Sequence, residues 1–377
     1  MSGQTSNATT DQRILAVQGL SKYFPITRGL MRRVTGQVRA VDDVDLYVNE
    51  GETLSIVGES GSGKTTLGRM IVRAIEPTRG QVQLRVDDRW IDLTAVKGKE
   101  LRAARRHFHM IFQDPYSSLD PRMTVFDIVK EPLVYNKVAR GKAVREMVLD
   151  TLKLVGLEER HLRRYPHAFS GGQRQRIGIA RSLVCHPKLI VCDESVSALD
   201  VSIQAQILNL LKDLQKELNL SYIFIAHDLT VVEHISNRVA VMYVGKIVEL
   251  AKAGELFTHP RHPYSEALLS AVPLPDPTSK SKRMILEGEV PNPAHPPSGC
   301  VFHPRCPYAT EVCKNEIPQW REISPEHFVA CHHADQLQLK GMAHAYSSVA
   351  DSRDGATPPS DGAGQRRETK LSINPVQ

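Results

Sequence analysis

A glycine-rich segment constrains the fold of this 377-residue chain more than any other feature. Residues Gly58–Thr65 fit the pattern G-x-x-x-x-G-K-[ST], after a short apolar run, Thr53–Val57, and before a helical apolar stripe. In a strand–loop–helix unit of this kind, glycines let successive backbone N–H groups point at phosphates, and the helix N-terminus adds positive potential. Lys64 is expected to neutralise phosphate charge, and Thr65 to offer a hydroxyl to Mg²⁺. The predicted phosphate-binding residues are Gly58, Glu59, Ser60, Gly61, Ser62, Gly63, Lys64, Thr65 and Thr66.

Three more short runs look like strands: Met110–Phe112, Leu189–Cys192 and Tyr222–Ala226. Each is nearly continuous in apolar residues, as a strand covered on both faces should be. Because helical patterns separate them, we predict an α/β fold with a mostly parallel core sheet over about residues 14–250. The clearest helical faces are Ile207, Leu208, Leu211, Leu214 and Leu218, and then Val144, Val148, Leu152 and Val155.

Two carboxylates follow the third apolar run. Asp193 and Glu194 come directly after Leu189–Cys192. Asp193 is expected to bind Mg²⁺ through water. Glu194 points to the other side of the chain, where it can orient or deprotonate an attacking water. Together with the glycine-rich segment, the pair predicts hydrolysis of a phosphate bond.

Composition excludes several classes of protein. The chain is 41% hydrophobic, and its apolar runs fall far short of the roughly 18 residues that a membrane-spanning helix needs. The polar residues 1–13 contain no apolar signal-peptide core, so we expect the chain to stay in the cytosol. A net charge of +6 is too small to indicate nucleic-acid binding, although it favours anionic partners.

The sequence changes character after His259. Prolines crowd residues 260–277 and 291–297, which predicts a small, loop-rich second unit. Residues 351–368 contain no Val, Ile, Leu, Met or aromatic residue, so they cannot bury enough apolar surface to order themselves. We therefore predict domains at 1–260 and 261–340 and a disordered tail at 341–377.

Four of the six cysteines lie within this second unit, at Cys300, Cys306, Cys313 and Cys331. Their spacing fits neither the common zinc patterns nor the ferredoxin runs. On spacing alone, a metal or cluster site, free thiols and disulfides all remain open.

The segment Phe169–Gln173 resembles the signature of ATP-binding cassette (ABC) ATPases. The other motifs of that family follow in the expected order. Gln113 is similar to the glutamine loop, Ser197–Asp200 to the loop at the dimer seam, and His227 to the switch histidine. The resemblance implies a P-loop ATPase domain with a parallel core sheet, an antiparallel β subdomain and a helical subdomain. A small loop-rich C-terminal module would follow it.

The resemblance also implies how ATP would be used. ATP would bridge two cassettes head to tail, so that the signature of one subunit caps the nucleotide held by Lys64 of the other. Glu194 would polarise the attacking water, His227 would contact the γ-phosphate, and Gln113 would sense the metal and the water. The implied Mg²⁺ ligands are Thr65, Gln113 and Asp193. Further implied nucleotide contacts are Phe24, stacking on adenine in preference to Tyr23, and Ser170, Gly171, Gly172, Gln173 and Asp200.

Longer stretches narrow the resemblance to the ATPase subunits of bacterial oligopeptide and dipeptide importers. These are Gln113–Pro121 and Arg261–Tyr264, and the insertion Arg28–Arg39 favours the F-type subunit. Nickel, opine, glutathione and some sugar importers share these features. A soluble ABC ATPase acting on nucleic acid is the alternative from another class, and a regulatory ATPase without transport is a third.

An importer subunit implies particular partners and a location. The partners would be a second ABC ATPase subunit, different from this chain or identical to it, and two transmembrane permease subunits. An extracytoplasmic solute-binding protein would act indirectly, and nucleic acid would not bind. The subunit would lie peripherally on the cytoplasmic face of the bacterial inner membrane.

The resemblance also bears on the four C-terminal cysteines. Some relatives hold a [4Fe–4S] cluster in this module, so Cys300, Cys306, Cys313 and Cys331 are expected to bind one. Zn²⁺ is the alternative, with His303, His332 and His333 as substitute ligands.

The chain departs from the family pattern at two positions. Ser195 stands where the family nearly always has proline, and Phe169 replaces the usual signature leucine.

Overall fold

The computed structural model describes residues 12–29, 33–114, 118–272 and 284–342. Part of the predicted Arg28–Arg39 insertion, positions 115–117 of the Gln113–Pro121 motif and nearly all of the predicted tail lie outside the described residues. No helix in the described ranges is long and apolar enough to cross a membrane.

Strands and helices alternate through most of the described chain. The strands are β1 (Arg13–Arg28), β2 (Arg33–Asn49), β3 (Thr53–Val57), β4 (Arg79–Val86), β5 (Arg89–Asp92), β6 (Phe108–Ile111), β7 (Leu189–Asp193), β8 (Ser221–Ile225), β9 (Arg238–Tyr243), β10 (Lys246–Lys252), β11 (Arg321–Ser324) and β12 (His327–Val329). The helices are α1 (Lys64–Ile71), α2 (Gly98–Ala104), α3 (Val125–Tyr135), α4 (Lys142–Leu154), α5 (Gly171–Leu183), α6 (Val201–Leu218), α7 (Leu229–Ile235), α8 (Ala253–Thr258), α9 (Pro263–Ser270) and α10 (Glu311–Asn315).

The larger sheet forms the centre of the molecule. Its order is β11-β12-β10-β9-β3-β8-β7-β6. The five strands from β9 to β6 run parallel, while β10, β12 and β11 are antiparallel to their neighbours. All residues of β3, β7 and β8 are buried, which explains their continuous apolar runs. The predicted α/β fold is therefore confirmed, and the carboxyl ends of β3, β8, β7 and β6 meet at one edge.

One predicted strand is displaced along the chain. Met110–Phe112 was expected, whereas β6 starts at Phe108 and ends before Phe112, whose side chain is 42% exposed. The polar residue His109 hides this start in the sequence. It nevertheless pairs with Ile190 in the sheet, and burial lowers its pKa to about 4, so the ring stays neutral there.

Two smaller groups of elements adjoin the central sheet. The strands β2, β1, β4 and β5 make a separate antiparallel sheet. Helices α3, α4 and α5 contact one another and form a helical subdomain. In α6 the predicted face is buried at Ile207, Leu208, Leu211 and Leu214, and half-buried at Leu218.

Residues beyond the predicted boundary at 260 pack directly onto the central sheet. The strand β12 pairs with β10, joining Phe328 to Leu250, and so lengthens the sheet. Phe302 is fully buried, with its ring centroid 5.2 Å from that of Tyr243 and 5.4 Å from that of Tyr264. The C-terminal region and the α/β domain therefore share one hydrophobic core.

This shared core gives a stability prediction. Phe302→Ala removes a fully buried ring between two parts of the chain, and we expect a loss of about 3–5 kcal/mol in the free energy of unfolding. Ile317→Ala, at an exposed position of the same region, should change it by less than about 0.5 kcal/mol. Urea unfolding of the full chain measures both. A loss for Phe302→Ala as small as that for Ile317→Ala would show that the buried ring does not stabilise the chain.

Candidate nucleotide site

The glycine-rich loop lies tightly against neighbouring backbone. Gly58 and Gly63 have φ angles of 147° and 106°, which side chains disfavour. A Cβ atom at Gly58 would lie 2.1 Å from the Met242 carbonyl oxygen, and one at Gly63 would lie 2.2 Å from that of Ala40. Glycine is therefore required at both positions, for conformation and for space.

Lys64 begins α1, and its ammonium lies inside the curl of the loop. Its Nζ atom donates hydrogen bonds to the carbonyl oxygens of Gly58, at 2.7 Å, and Glu59, at 2.9 Å. Burial lowers the pKa of Lys64, while the carboxylates of Glu194, Asp193 and Glu59 oppose that shift. The loop thus holds a buried cation where its N–H groups would meet phosphate oxygens.

Thr65 and Asp193 come together across 128 residues of sequence. The Thr65 Oγ1 atom donates a 2.9 Å hydrogen bond to Asp193 Oδ1, and Asp193 is the last residue of β7. Burial raises the pKa of Asp193, and the Thr65 hydrogen bond opposes this shift. A hydroxyl and a carboxylate at one point are the oxygen ligands that Mg²⁺ prefers, so this part of the site fits the ion.

Glu194 stands at the centre of the predicted catalytic group. Gln113 Nε2 donates a 2.7 Å hydrogen bond to Glu194 Oε2, and His227 Nδ1 lies 3.5 Å from the same oxygen. These residues follow β6, β7 and β8, so the parallel order of the strands brings them to one edge. The structure therefore unites the three residues predicted from the sequence to be catalytic.

The turn after Glu194 is held without the usual proline. Glu194 has a φ angle of 46°, and its N–H group donates to the Ile225 carbonyl at 2.9 Å. The Ser197 hydroxyl donates to the Glu194 carbonyl at 2.9 Å. The Ser197 N–H group also donates to this carbonyl, at 3.2 Å. Ser195 is buried, and its hydroxyl interacts with the Cys192 thiol. The Glu194 backbone is therefore fixed by hydrogen bonds that need no proline at position 195.

The signature segment forms the start of α5. The Ser170 side chain accepts from the Gln173 N–H group at 3.3 Å, and Gln173 Oε1 accepts from the Ser170 N–H group at 3.1 Å. A Cβ atom at Gly172 would lie 2.5 Å from a methyl group of Ile203, so glycine lets α5 approach α6 closely. The side-chain hydrogen bonds stay within the segment and do not join it to Lys64.

The two other predicted nucleotide contacts lie at the surface. Asp200 caps α6 by accepting from the Ile203 N–H group at 3.0 Å. The Phe24 ring is 37% exposed, whereas the Tyr23 hydroxyl is engaged with Asp42 and Arg79. Their contacts with ATP remain predictions, but this difference agrees with Phe24 as the stacking residue.

Two residues at the loop were not predicted from the sequence. The Tyr264 hydroxyl accepts from the Glu59 N–H group at 2.7 Å, and the Arg305 guanidinium pairs with the Glu59 carboxylate. Arg305 lies 246 residues from Glu59, and only the folded chain shows the pairing. In the sequence Arg305 stands next to Cys306, and nothing near it indicates a partner in the glycine-rich loop.

The four C-terminal cysteines line one cavity. Burial, reinforced by the neighbouring thiols, raises the pKa of Cys306 to about 12 and that of Cys331 to about 11. In the described ranges, no group of three or more His, Cys, Asp or Glu residues is arranged to hold a metal ion. The cysteines therefore share a cavity without being arranged as metal ligands, and the [4Fe–4S] cluster stays a prediction. The cavity is lined by Cys300, Cys306, Cys313, Cys331, His262, His303, His332, His333 and Tyr308, with Phe302, Pro263 and Leu337.

The strand order and the residues gathered at its carboxyl edge define a P-loop nucleotide-binding cassette. Residues 41–197 match the model of the family described as "ABC transporter", and residues 248–313 match "Oligopeptide/dipeptide transporter, C-terminal region". The chain belongs to the ABC transporter family and is an ATPase of the ABC type. The predicted family and the predicted enzyme class are confirmed.

Individual relatives are similar over most of the chain. The oligopeptide transport ATP-binding protein AppF of Bacillus subtilis is 50% identical over 328 residues, which are 86% of this chain and 98% of that protein. A probable peptide ABC transporter ATP-binding protein of Sinorhizobium fredii is 51% identical over 319 residues, 85% of this chain and 89% of that protein. A solved ATP-binding cassette, a dimer in a post-hydrolysis state with ADP and Pi, is 30% identical with a TM-score of 0.55. That match covers 63% of this chain and 98% of the cassette.

The geometry around Glu194 gives a kinetic prediction. Glu194→Gln should slow ATP hydrolysis by about 10²–10⁴-fold, because the amide cannot take a proton from water, while ATP binding persists. Lys64→Ala should instead weaken ATP binding, because it removes a direct contact with phosphate. Steady-state hydrolysis and equilibrium binding separate the two variants. Glu217→Gln, an exposed carboxylate of α6, is the control. Near-normal turnover by Glu194→Gln would exclude the general-base role.

Proposed function

We propose that this chain powers a bacterial importer of peptides by hydrolysing ATP on the cytoplasmic face of the inner membrane. The proposal of hydrolysis rests on the hydrogen bond between Gln113 and Glu194, because it orients the Glu194 carboxylate next to the Thr65–Asp193 pair. Peptide import is supported by two relatives that are named for peptide transport and are similar to this chain over 85–86% of its length. The match of residues 248–313 to the oligopeptide/dipeptide region supports it too.

The residues of the chain divide the work on ATP. The loop N–H groups and Lys64 bind the phosphates, and Glu194, oriented by Gln113, accepts a proton from the attacking water. His227 lies beside the same carboxylate, where it can contact the γ-phosphate. Mg²⁺, when bound by Thr65, Asp193 and Gln113, would offset the charge of the phosphates. The pre-formed contacts keep these groups oriented before ATP arrives.

A second cassette would complete the site. Ser170 and Gln173 are exposed at the N-terminus of the 13-residue helix α5, and Asp200 is exposed at the start of α6. A helix N-terminus of this kind attracts a phosphate held by another subunit. The similar cassette solved as a dimer supports this arrangement. We propose a different ATPase subunit as the partner, with a second copy of this chain as the alternative.

A groove beside Gln113 is the proposed docking surface for the permease subunits. It is lined by the exposed rings of Phe112 (42% exposed) and Tyr135 (55% exposed), together with Arg105 and Glu131. Because Phe112 directly precedes Gln113, a helix seated in the groove would shift the residue that orients Glu194. Occupation of the groove would thereby couple hydrolysis to transport.

This coupling can be measured in the assembled importer. We expect the isolated chain to hydrolyse ATP slowly and the permease subunits to stimulate it. Tyr135→Ala should reduce that stimulation by about tenfold with ATP affinity unchanged, because a large ring at an interface commonly contributes 1–2 kcal/mol. Trp90→Ala, at an exposed ring of β5, is the control. Full turnover by dilute monomer, or normal stimulation of Tyr135→Ala, would contradict the proposed docking.

The transported solute needs its own test. Purification of the intact importer, followed by identification of its bound solute, should yield peptides. Recovery of nickel, opines or another small solute would assign the chain to a sister group of importers. Association with nucleic acid instead of permeases would place it in the soluble class.

We retain the [4Fe–4S] cluster as a proposal because all four cysteines line one cavity. Cysteine thiolates are the usual ligands of such clusters, and a loop-rich region benefits from a staple. Cys300, Cys306, Cys313 and Cys331 would hold it in a structural role, away from the nucleotide.

Metal analysis decides this proposal. Anaerobic purification should give about four iron and four sulfide per chain with a visible absorption band, as the [4Fe–4S] formula requires. Cys313→Ser should lose the cluster but keep ATP affinity, whereas Cys185→Ser, in the α/β domain, should lose neither. Stoichiometric zinc without iron would favour the alternative. Four alkylatable thiols without metal would refute the site.

A further inference from the structure

The C-terminal region reaches the phosphate-binding loop through one ion pair. Arg305 is the last residue of a single turn of 3-10 helix, His303–Arg305. Its guanidinium donates two hydrogen bonds to the Glu59 carboxylate, of 2.8 and 3.2 Å. The Arg305 side chain is only 9% exposed and that of Glu59 is 28% exposed. A two-pronged pair with so little exposure is far better fixed than a surface salt bridge.

Buried aromatic residues hold this arginine in place. Arg305 also donates to the Tyr243 hydroxyl at 3.4 Å, and Tyr243 packs against Tyr264 with ring centroids 4.6 Å apart. Tyr264 in turn accepts from the Glu59 N–H group. The side chain and the backbone of Glu59 are therefore bound by two residues outside the loop, Arg305 and Tyr264, and both of these follow residue 260.

The charge of Glu59 makes this pairing important for the ligand. Glu59 is the second residue of a loop whose task is to attract phosphate, and its carboxylate has the same sign as the phosphates. That carboxylate lies close enough to influence the Lys64 ammonium. Left unpaired, it would repel an incoming nucleotide and compete for the lysine. The Arg305 guanidinium, as a cation beside Glu59, offsets this repulsion of the nucleotide.

We propose that Arg305 is a positioning residue of the nucleotide site, which neutralises Glu59 and holds the loop in its phosphate-accepting shape. The C-terminal region then contributes to ATP affinity directly. This inference rests on the proposed binding of ATP by the loop, but it does not depend on transport, on the permeases or on a metal at the cysteines.

A double-mutant cycle in the full chain tests the inference. Arg305→Ala should weaken Mg-ATP binding by about tenfold, since it leaves a carboxylate unpaired beside the phosphates. The double variant Arg305→Ala/Glu59→Gln should recover to within about threefold of wild type, because the repelling charge is gone. Affinity is measured by titration calorimetry, and thermal unfolding is recorded for every variant.

Matched variants keep the test decisive. Arg321→Ala breaks another arginine–carboxylate pair of the C-terminal region, with Asp335, and should leave affinity unchanged. Arg305→Lys keeps a cation beside Glu59 and should bind Mg-ATP to within about threefold of wild type, and it remains informative if Arg305→Ala unfolds. Unchanged affinity in Arg305→Ala, no recovery in the double variant, or a loss in Arg305→Lys as large as in Arg305→Ala would each overturn the inference. Failure of the wild-type chain to bind Mg-ATP would instead refute the proposed function.

Discussion

Parallel pairing of β3, β8, β7 and β6 is the constraint on which the nucleotide site depends. Because all four strands end at one edge of the sheet, the residues that follow them meet there without any long loop to position them. The Thr65–Asp193 and Gln113–Glu194 hydrogen bonds are consequences of this strand order. The close approach of Gly58 to Met242 then fixes the loop against β9, the neighbour of β3 on the other side.

Local patterns predicted most of this site, and long-range contacts account for what they missed. Lys64, Asp193 and Glu194 follow apolar runs that form strands, so sequence neighbours alone placed them. The start of β6 was missed because His109 is polar in sequence but neutral in the sheet. Arg305 was missed because its partner lies 246 residues away, a distance over which spacing carries no information.

The C-terminal region is joined to the cassette by several kinds of contact. It lengthens the sheet through β12, shares a core through Phe302, and pairs with the loop through Arg305. The buried Glu249 adds to these, because it accepts from the N–H group of His262 and lies 2.7 Å from His327. Proline-rich composition correctly indicated few regular elements, but it gave no indication of how closely this region packs.

The contact of Gly172 with Ile203 has a consequence for the spacing of the two helix ends. Ile203 lies under the start of α5, and its N–H group is also the one that Asp200 caps. The segments of both helices that face outward therefore share one supporting side chain. A larger residue at position 172 would collide with this side chain and move the starts of α5 and α6 apart, so one contact sets the spacing of the two outward-facing segments.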